Sequence, residues 1–141
     1  MTTIAADVAE QAMCTDSKCT IGDTWFPSTK IYNRDDLLIG CAGGVSDIEK
    51  FMAWYDAEQD ETNKPELDNL QALVLSTRGL HLFDSTCTSF EIERGFHAVG
   101  TGGNAALGAM LAGKSLTEAV SIACMIDPNS GGDIVYNKLE N

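Results

Sequence analysis

The chain has 141 residues, 44% of them hydrophobic, which is enough for one domain (1–141) with a buried core and includes no apolar run long enough to span a membrane. Lys and Arg total 9 against 21 Asp and Glu, a formal charge of −12 that repels phosphate backbones and anionic lipid, so neither nucleic acid nor a membrane surface is an expected partner. The five cysteines are an odd count without a Cys-x-x-Cys pair, and His81 and His97 fall outside zinc-ligand spacing, so no disulfide framework, no metal and no cofactor is expected.

The opening "MTTIAAD" has no cationic segment followed by a long apolar run, so a cytoplasmic location with reduced thiols is the expectation. Residues 2–6 and 12–15 read as two short strands around a polar turn at 7–11, although no glycine is present to tighten it. "STKIYNRDDLLIGCAGG" predicts a second hairpin, with a strand at 30–32, a turn at 33–36 and an apolar strand at 37–41 that runs into Gly43-Gly44. Ser46 and Glu49 have the spacing of a capping box. Ile48, Phe51, Met52 and Tyr55 fall at i, i+3, i+4 and i+7, so an amphipathic helix starts just after the glycines and fades in the acidic run 56–61.

"DAEQDETNKPELDN" is polar and reads as a surface loop. "LQALVLSTRGLHLFD" predicts a hairpin turning at Arg78-Gly79, and "GFHAVG" one more strand. "GTGGNAALGAMLAG" is a helix of small residues that packs closely and stops at Gly113. Ser115 and Glu118 open the next helix, through Met125, with a second capping box, and "GGDIVYNKL" closes the chain as a strand. Helices grouped in two blocks, instead of alternating singly with strands, define an α+β chain with two sheets stacked between helical layers.

Four points far apart in the chain have the chemistry of one site: Thr2, the Asp16/Lys30 pair, "CAGG" ending at Gly44, and "DPNSGG" from Asp127. A threonine hydroxyl is a poor nucleophile near neutral pH, and an N-terminal threonine supplies its own base, an α-amine with a pKa near ~8. Thr2 acquires that amine when Met1 is removed. Lys30 beside the hydroxyl would depress the amine pKa and stabilise the alkoxide, while Asp16 would keep the lysine charged. The glycines of "CAGG" lie where a strand meets a helix N-terminus, a place where backbone N–H groups receive an oxyanion. Taken singly, Lys30 and Asp16 also fit surface charges and the glycine pair also fits plain turn geometry. "GTGG" lacks the GxxxxGK[ST] pattern of a phosphate loop.

These motifs in this order, "TTI", "TDSK", Lys30 opening a strand, "GCAGG", "GTGG" and "DPNSGG", resemble those of proteasome β subunits and the bacterial HslV peptidase, the N-terminal-nucleophile threonine peptidases. The resemblance implies a four-layer αββα sandwich, with the first helical layer shortened because the loop 56–69 stands where the family has a second helix. It further implies Thr2 as nucleophile and its amine as base, Asp16 and Lys30 as the charged pair, and Gly43 as the oxyanion N–H. Thr101 stands where the family usually has serine, and Asp127 with Ser130 match the pair that hydrogen-bonds around the terminal amine. Cys19, Thr20, Cys41 and Val45 match positions lining a cleft for an extended peptide.

The function implied is a threonine endopeptidase acting on peptides or unfolded protein, within a self-compartmentalising homo-oligomeric ring and with an ATP-dependent unfoldase as partner. A noncatalytic scaffold of the same fold with Met1 retained, and an amide hydrolase using the same residues on another acyl group, are the alternatives. Because neighbouring strand residues point to opposite faces, Thr3 is expected to turn away from the cleft and pack into the sheet, and Thr3→Val to cost little.

Overall fold

The computed structural model describes residues 2–139. In chain order these residues form β1 (Ile4–Asp7), β2 (Ala12–Thr15), β3 (Lys18–Ile21), β4 (Thr24–Pro27), β5 (Ile31–Arg34) and β6 (Leu37–Gly43), then α1 (Val45–Asp56). A 3₁₀ turn at Glu61–Asn63 leads to β7 (Leu70–Ser76), β8 (Gly79–Phe83), β9 (Ser89–Glu91) and β10 (Phe96–Val99). The chain then forms α2 (Gly103–Leu111), α3 (Leu116–Ile126) and β11 (Val135–Lys138). Among the described residues no helix is long and apolar enough to cross a membrane.

The turn between β1 and β2 closes without glycine because side chains take its place. Asp7 accepts from the Ala9 N–H at 2.9 Å, Gln11 Nε2 donates to the Val8 carbonyl at 3.0 Å, and Gln11 itself takes a φ of 53°. Flanked by β10 and β11, this hairpin becomes a four-stranded sheet of order β10-β1-β2-β11, and β5 to β9 form a five-stranded antiparallel sheet in sequence order.

Strand alternation then assigns every layer. Ile4, Ala6 and Met13 of the first sheet meet Leu38, Ala42, Leu73 and Leu75 of the second, making the core between the sheets. Their neighbours Ala5, Ala12 and Cys14 point the other way, against Ala106, Ala119, Val120 and Ala123 of α2 and α3. On the opposite side Ile39, Cys41, Ala72 and Val74 pack under Phe51, Met52 and Trp54 of α1. The result is the four-layer αββα sandwich, with α1 alone forming the first helical layer.

Four details differ from the sequence reading. The hairpin β3–β4 has no counterpart in it, because its apolar residues Ile21, Trp25 and Phe26 face outward, though Gly22-Asp23 is a two-residue turn signal. The short edge strand β9 is likewise additional. The capping box at Ser46 and Glu49 is not formed: the helix starts at Val45 with Gly44 as its cap residue and no side-chain cap bond. Asp47, in that first turn, instead accepts from the Asp68 and Asn69 N–H groups at 3.0 and 2.8 Å and ties the long loop back to the helix. Finally Trp54 is buried, its Nε1 donating to the Asp60 carbonyl at 2.9 Å, in addition to Tyr55, which the i, i+7 spacing singled out and which packs partly buried against the same cluster. The second capping box, Ser115 with Glu118, is present in full.

Candidate active site

Thr2 and Thr3 continue the path of β1. The Thr2 carbonyl accepts from Gly102 N and the Thr3 carbonyl from Asp16 N, each at 3.2 Å, so both residues are held in strand geometry with their side chains on opposite faces. Both are buried. Thr2 lies on the face that lines a cleft of about 190 Å³ together with Lys30, Gly43, Cys19, Thr20, Cys41 and Val45. Met1, whose removal the chemistry of Thr2 requires, lies outside the described residues.

Asp16, at the end of the first hairpin, is wholly buried and surrounded by donors. Its Oδ1 accepts from Lys30 Nζ at 2.9 Å and Thr3 N at 3.0 Å; its Oδ2 accepts from Gly131 N at 2.9 Å and Lys18 N at 3.3 Å. Lys30 Nζ also donates to the Lys18 carbonyl at 2.6 Å. An ion pair buried to this degree costs desolvation, and the four donors on the carboxylate oxygens offset that cost.

A second carboxylate reaches Thr2 through Thr101. Asp127, the residue after α3, accepts from Thr101 Oγ1 at 2.6 Å and Ser130 Oγ at 2.7 Å on one oxygen, and from Asn129 N at 3.0 Å on the other. Burial works against its charge, but those hydroxyl and amide donors prevail and hold its carboxyl below the usual carboxylate range. Thr2 N donates to Thr101 Oγ1 at 3.2 Å. Because the Thr101 proton is committed to Asp127, Thr101 meets the Thr2 nitrogen only as an acceptor, which leaves the lone pair of a free amine available as a base.

Gly43, at the end of β6, takes a φ of +136°, and a Cβ there would run into the Asn69 carbonyl oxygen, so only glycine fits at this rim of the cleft. Cys41 lies on the floor, its Sγ 3.9 Å from Met52 Sδ, and burial pushes its thiol up to about 12. The fold thus brings Thr2, Asp16, Lys30, Gly43, Thr101, Asp127 and Ser130 to one place, with Cys19, Thr20, Cys41 and Val45 along the cleft. Tyr32, Ile48 and Glu49 also line it and were not among the expected residues. The signal for them was present: Tyr32 follows Lys30 at i+2 on a strand, and Ile48 and Glu49 follow Val45 at i+3 and i+4 on a helix.

The layers and topology are those of the N-terminal-nucleophile sandwich of the proteasome β and HslV type. Among solved structures, HslV from Trypanosoma brucei matches with a TM-score of 0.79 and 21% identity, over 96% of this chain and 97% of that one. Thiobacillus denitrificans BPH matches in two structures with a TM-score of 0.70 and 17% identity, one of them in complex with epoxomicin and covering 99% of this chain and all of that one. No family model matches the chain, and no curated protein matches it. At these identities the likeness establishes the fold.

Proposed function

We propose that this chain is a threonine peptidase whose nucleophile is Thr2, exposed by removal of Met1. The observation that carries the reading is that two buried carboxylates, Asp16 paired with Lys30 and Asp127 bonded to Thr101 and Ser130, converge on Thr2 and Thr3, with Lys30 sharing the cleft of Thr2 and Thr101 accepting from the Thr2 nitrogen. In this reading the α-amine takes the Thr2 Oγ proton as Oγ attacks a peptide carbonyl carbon, and the Lys30 charge stabilises the developing alkoxide. The tetrahedral oxyanion is received by backbone N–H at Gly43. Collapse breaks the C–N bond, the ammonium returns its proton to the leaving amine, and an ester remains on Thr2. Water, deprotonated by the same amine, then hydrolyses that ester and restores the hydroxyl.

The substrate in this reading is an extended peptide or unfolded protein laid along Cys19, Thr20, Cys41 and Val45 as an added strand. The protein works in the cytoplasm, to which five free thiols are suited, as a homo-oligomeric ring fed by an ATP-driven unfoldase. The BPH complex with epoxomicin supports that compound as the probe.

Intact-mass measurement first establishes whether Met1 is gone. Wild type and Thr2→Ala are then treated with epoxomicin or a peptide boronate, and adducts are mapped. The expected result is one adduct, on Thr2, and none on Thr2→Ala. An adduct elsewhere overturns the assignment. No adduct on a wild type shown to lack Met1 replaces the peptidase with a noncatalytic scaffold.

A further inference from the structure

Thr3 does turn away from the cleft, but its hydroxyl is not simply packed. Thr3 Oγ1 lies 2.7 Å from Ser130 Oγ, and the direction of that bond follows from proton counting. Ser130 has one hydroxyl proton and gives it to Asp127 Oδ2, which as a carboxylate only accepts. Thr3 must therefore be the donor. The protons then run one way, from Thr3 to Ser130 to Asp127, and a separate bond from Thr101 reaches the same Asp127 oxygen. The Thr3 backbone N–H meanwhile donates to Asp16 Oδ1, the oxygen that also takes Lys30 Nζ.

Thr3 thus touches both carboxylate clusters, its amide the Asp16–Lys30 pair and its hydroxyl the Asp127 group. It also meets the loop that carries Thr101. A Cβ on Gly102 would overlap Thr3 Oγ1, so this glycine is what lets the loop close down on the hydroxyl. Thr3 itself is wholly buried, so a hydroxyl lost from this network leaves a buried partner unpaired.

We infer that Thr3 is a positioning residue whose hydroxyl, through Ser130 and Asp127, holds Thr101 on the Thr2 nitrogen and so sets the working state of the α-amine. It touches no reacting atom. The inference rests on the threonine-peptidase reading for its kinetic consequence, but the amine itself can be titrated whether or not the protein turns over substrate.

The test uses Met1-free wild type, Thr3→Val and Thr3→Ser. Valine keeps the shape and removes the donor; serine keeps the donor. Two quantities are read: kcat and KM on a fluorogenic peptide, and the pH dependence of α-amine acetylation by trace acetic anhydride, with thermal melts as a control for folding. Thr3→Val is expected to lower kcat about tenfold with KM within about twofold, since a misdirected hydrogen bond affects the base more than the cleft. It should also lower the amine pKa, because the ammonium loses a well-aligned acceptor, and Thr3→Ser should restore both.

A Thr3→Val protein with wild-type kcat and wild-type amine titration overturns the inference. If the wild type neither turns over nor takes an adduct, the peptidase reading fails and the acetylation curves alone decide the role of Thr3: a lowered pKa in Thr3→Val supports it and an unmoved one rejects it. Should Thr3→Val not fold, Ser130→Ala removes the next link. The same fall in amine pKa is then required, and an unchanged titration rejects the inference.

Discussion

Lys30 lines the cleft with Thr2, Asp127 reaches the Thr2 nitrogen through Thr101, and each makes a separable prediction. Removing Lys30 leaves Asp16 buried with only its three backbone donors, Thr3, Gly131 and Lys18. Lys30→Ala is therefore expected to fold but to lose about 3 kcal/mol, read from a denaturant midpoint, and to lose peptide hydrolysis altogether. Wild-type turnover in that variant would remove Lys30 from the mechanism. Asp127 predicts a pH dependence. A carboxyl whose folded pKa is depressed contributes stability that is present above its unfolded value, near ~3.9, and that is lost as the pH falls through the lower folded value. Asp127→Asn should thus melt lower than wild type at pH 6, and the difference should shrink as the pH falls through the depressed folded value. On the peptidase reading proposed above, activity is expected to fall on acidification from pH 8 to pH 5 as the Thr2 amine protonates.

At the scale of elements, the site is assembled from ends. Thr2 precedes β1, Asp16 follows β2, Lys30 precedes β5, Gly43 ends β6, Thr101 precedes α2 and Asp127 follows α3. Placing chemistry at the ends leaves strand interiors free to pack as alternating apolar surfaces, as Ile4, Ala6 and Met13 do. The join between β6 and α1 is the most constrained of these ends. Gly43→Ala must place a Cβ against the Asn69 carbonyl at a φ of +136°. The expected outcome is a loss of at least about 1–2 kcal/mol from the left-handed backbone alone, with displacement of β6 from β7. A crystal structure and thermal melt of that variant check it; unchanged stability with an unchanged rim would show that the loop at Asn69 yields freely.

At the scale of the molecule, large apolar side chains are exposed at two places. Ile21 and Trp25 on the β3–β4 hairpin are 66% and 50% exposed, and Met125 and Ile126 at the end of α3 are 82% and 67% exposed. On the ring reading proposed above, these are the side chains that contact between copies would cover. Sedimentation velocity at micromolar concentration is expected to show a species several times the 15.1 kDa chain, favoured by salt because screening weakens repulsion between copies of charge −12. Ile21→Ser with Trp25→Ser should shift that distribution toward smaller species. A wild type that sediments only as monomer would rule out the ring.

Much of this was legible in the one-dimensional pattern, because strand alternation, turn residues and capping boxes are local properties. The β1–β2 hairpin, the apolar run into "CAGG", the Ser115 capping box and the α+β order all follow from neighbours within a few residues. The candidate residues were legible as an ordered set of motifs. What only the tertiary structure decided is whatever depends on partners distant in the chain. Gly44 stands at the cap of α1 in place of Ser46, and Asp47 in the first turn is drawn instead to the N–H groups of Asp68 and Asn69. Trp54 is buried because the loop after α1 folds back to offer the Asp60 carbonyl. Thr3 looked passive from its position beside Thr2. Its hydroxyl acquires a role only when Ser130, 127 residues away, is folded against it, because a hydrogen bond is specified by the position of both partners and the sequence displays them one at a time.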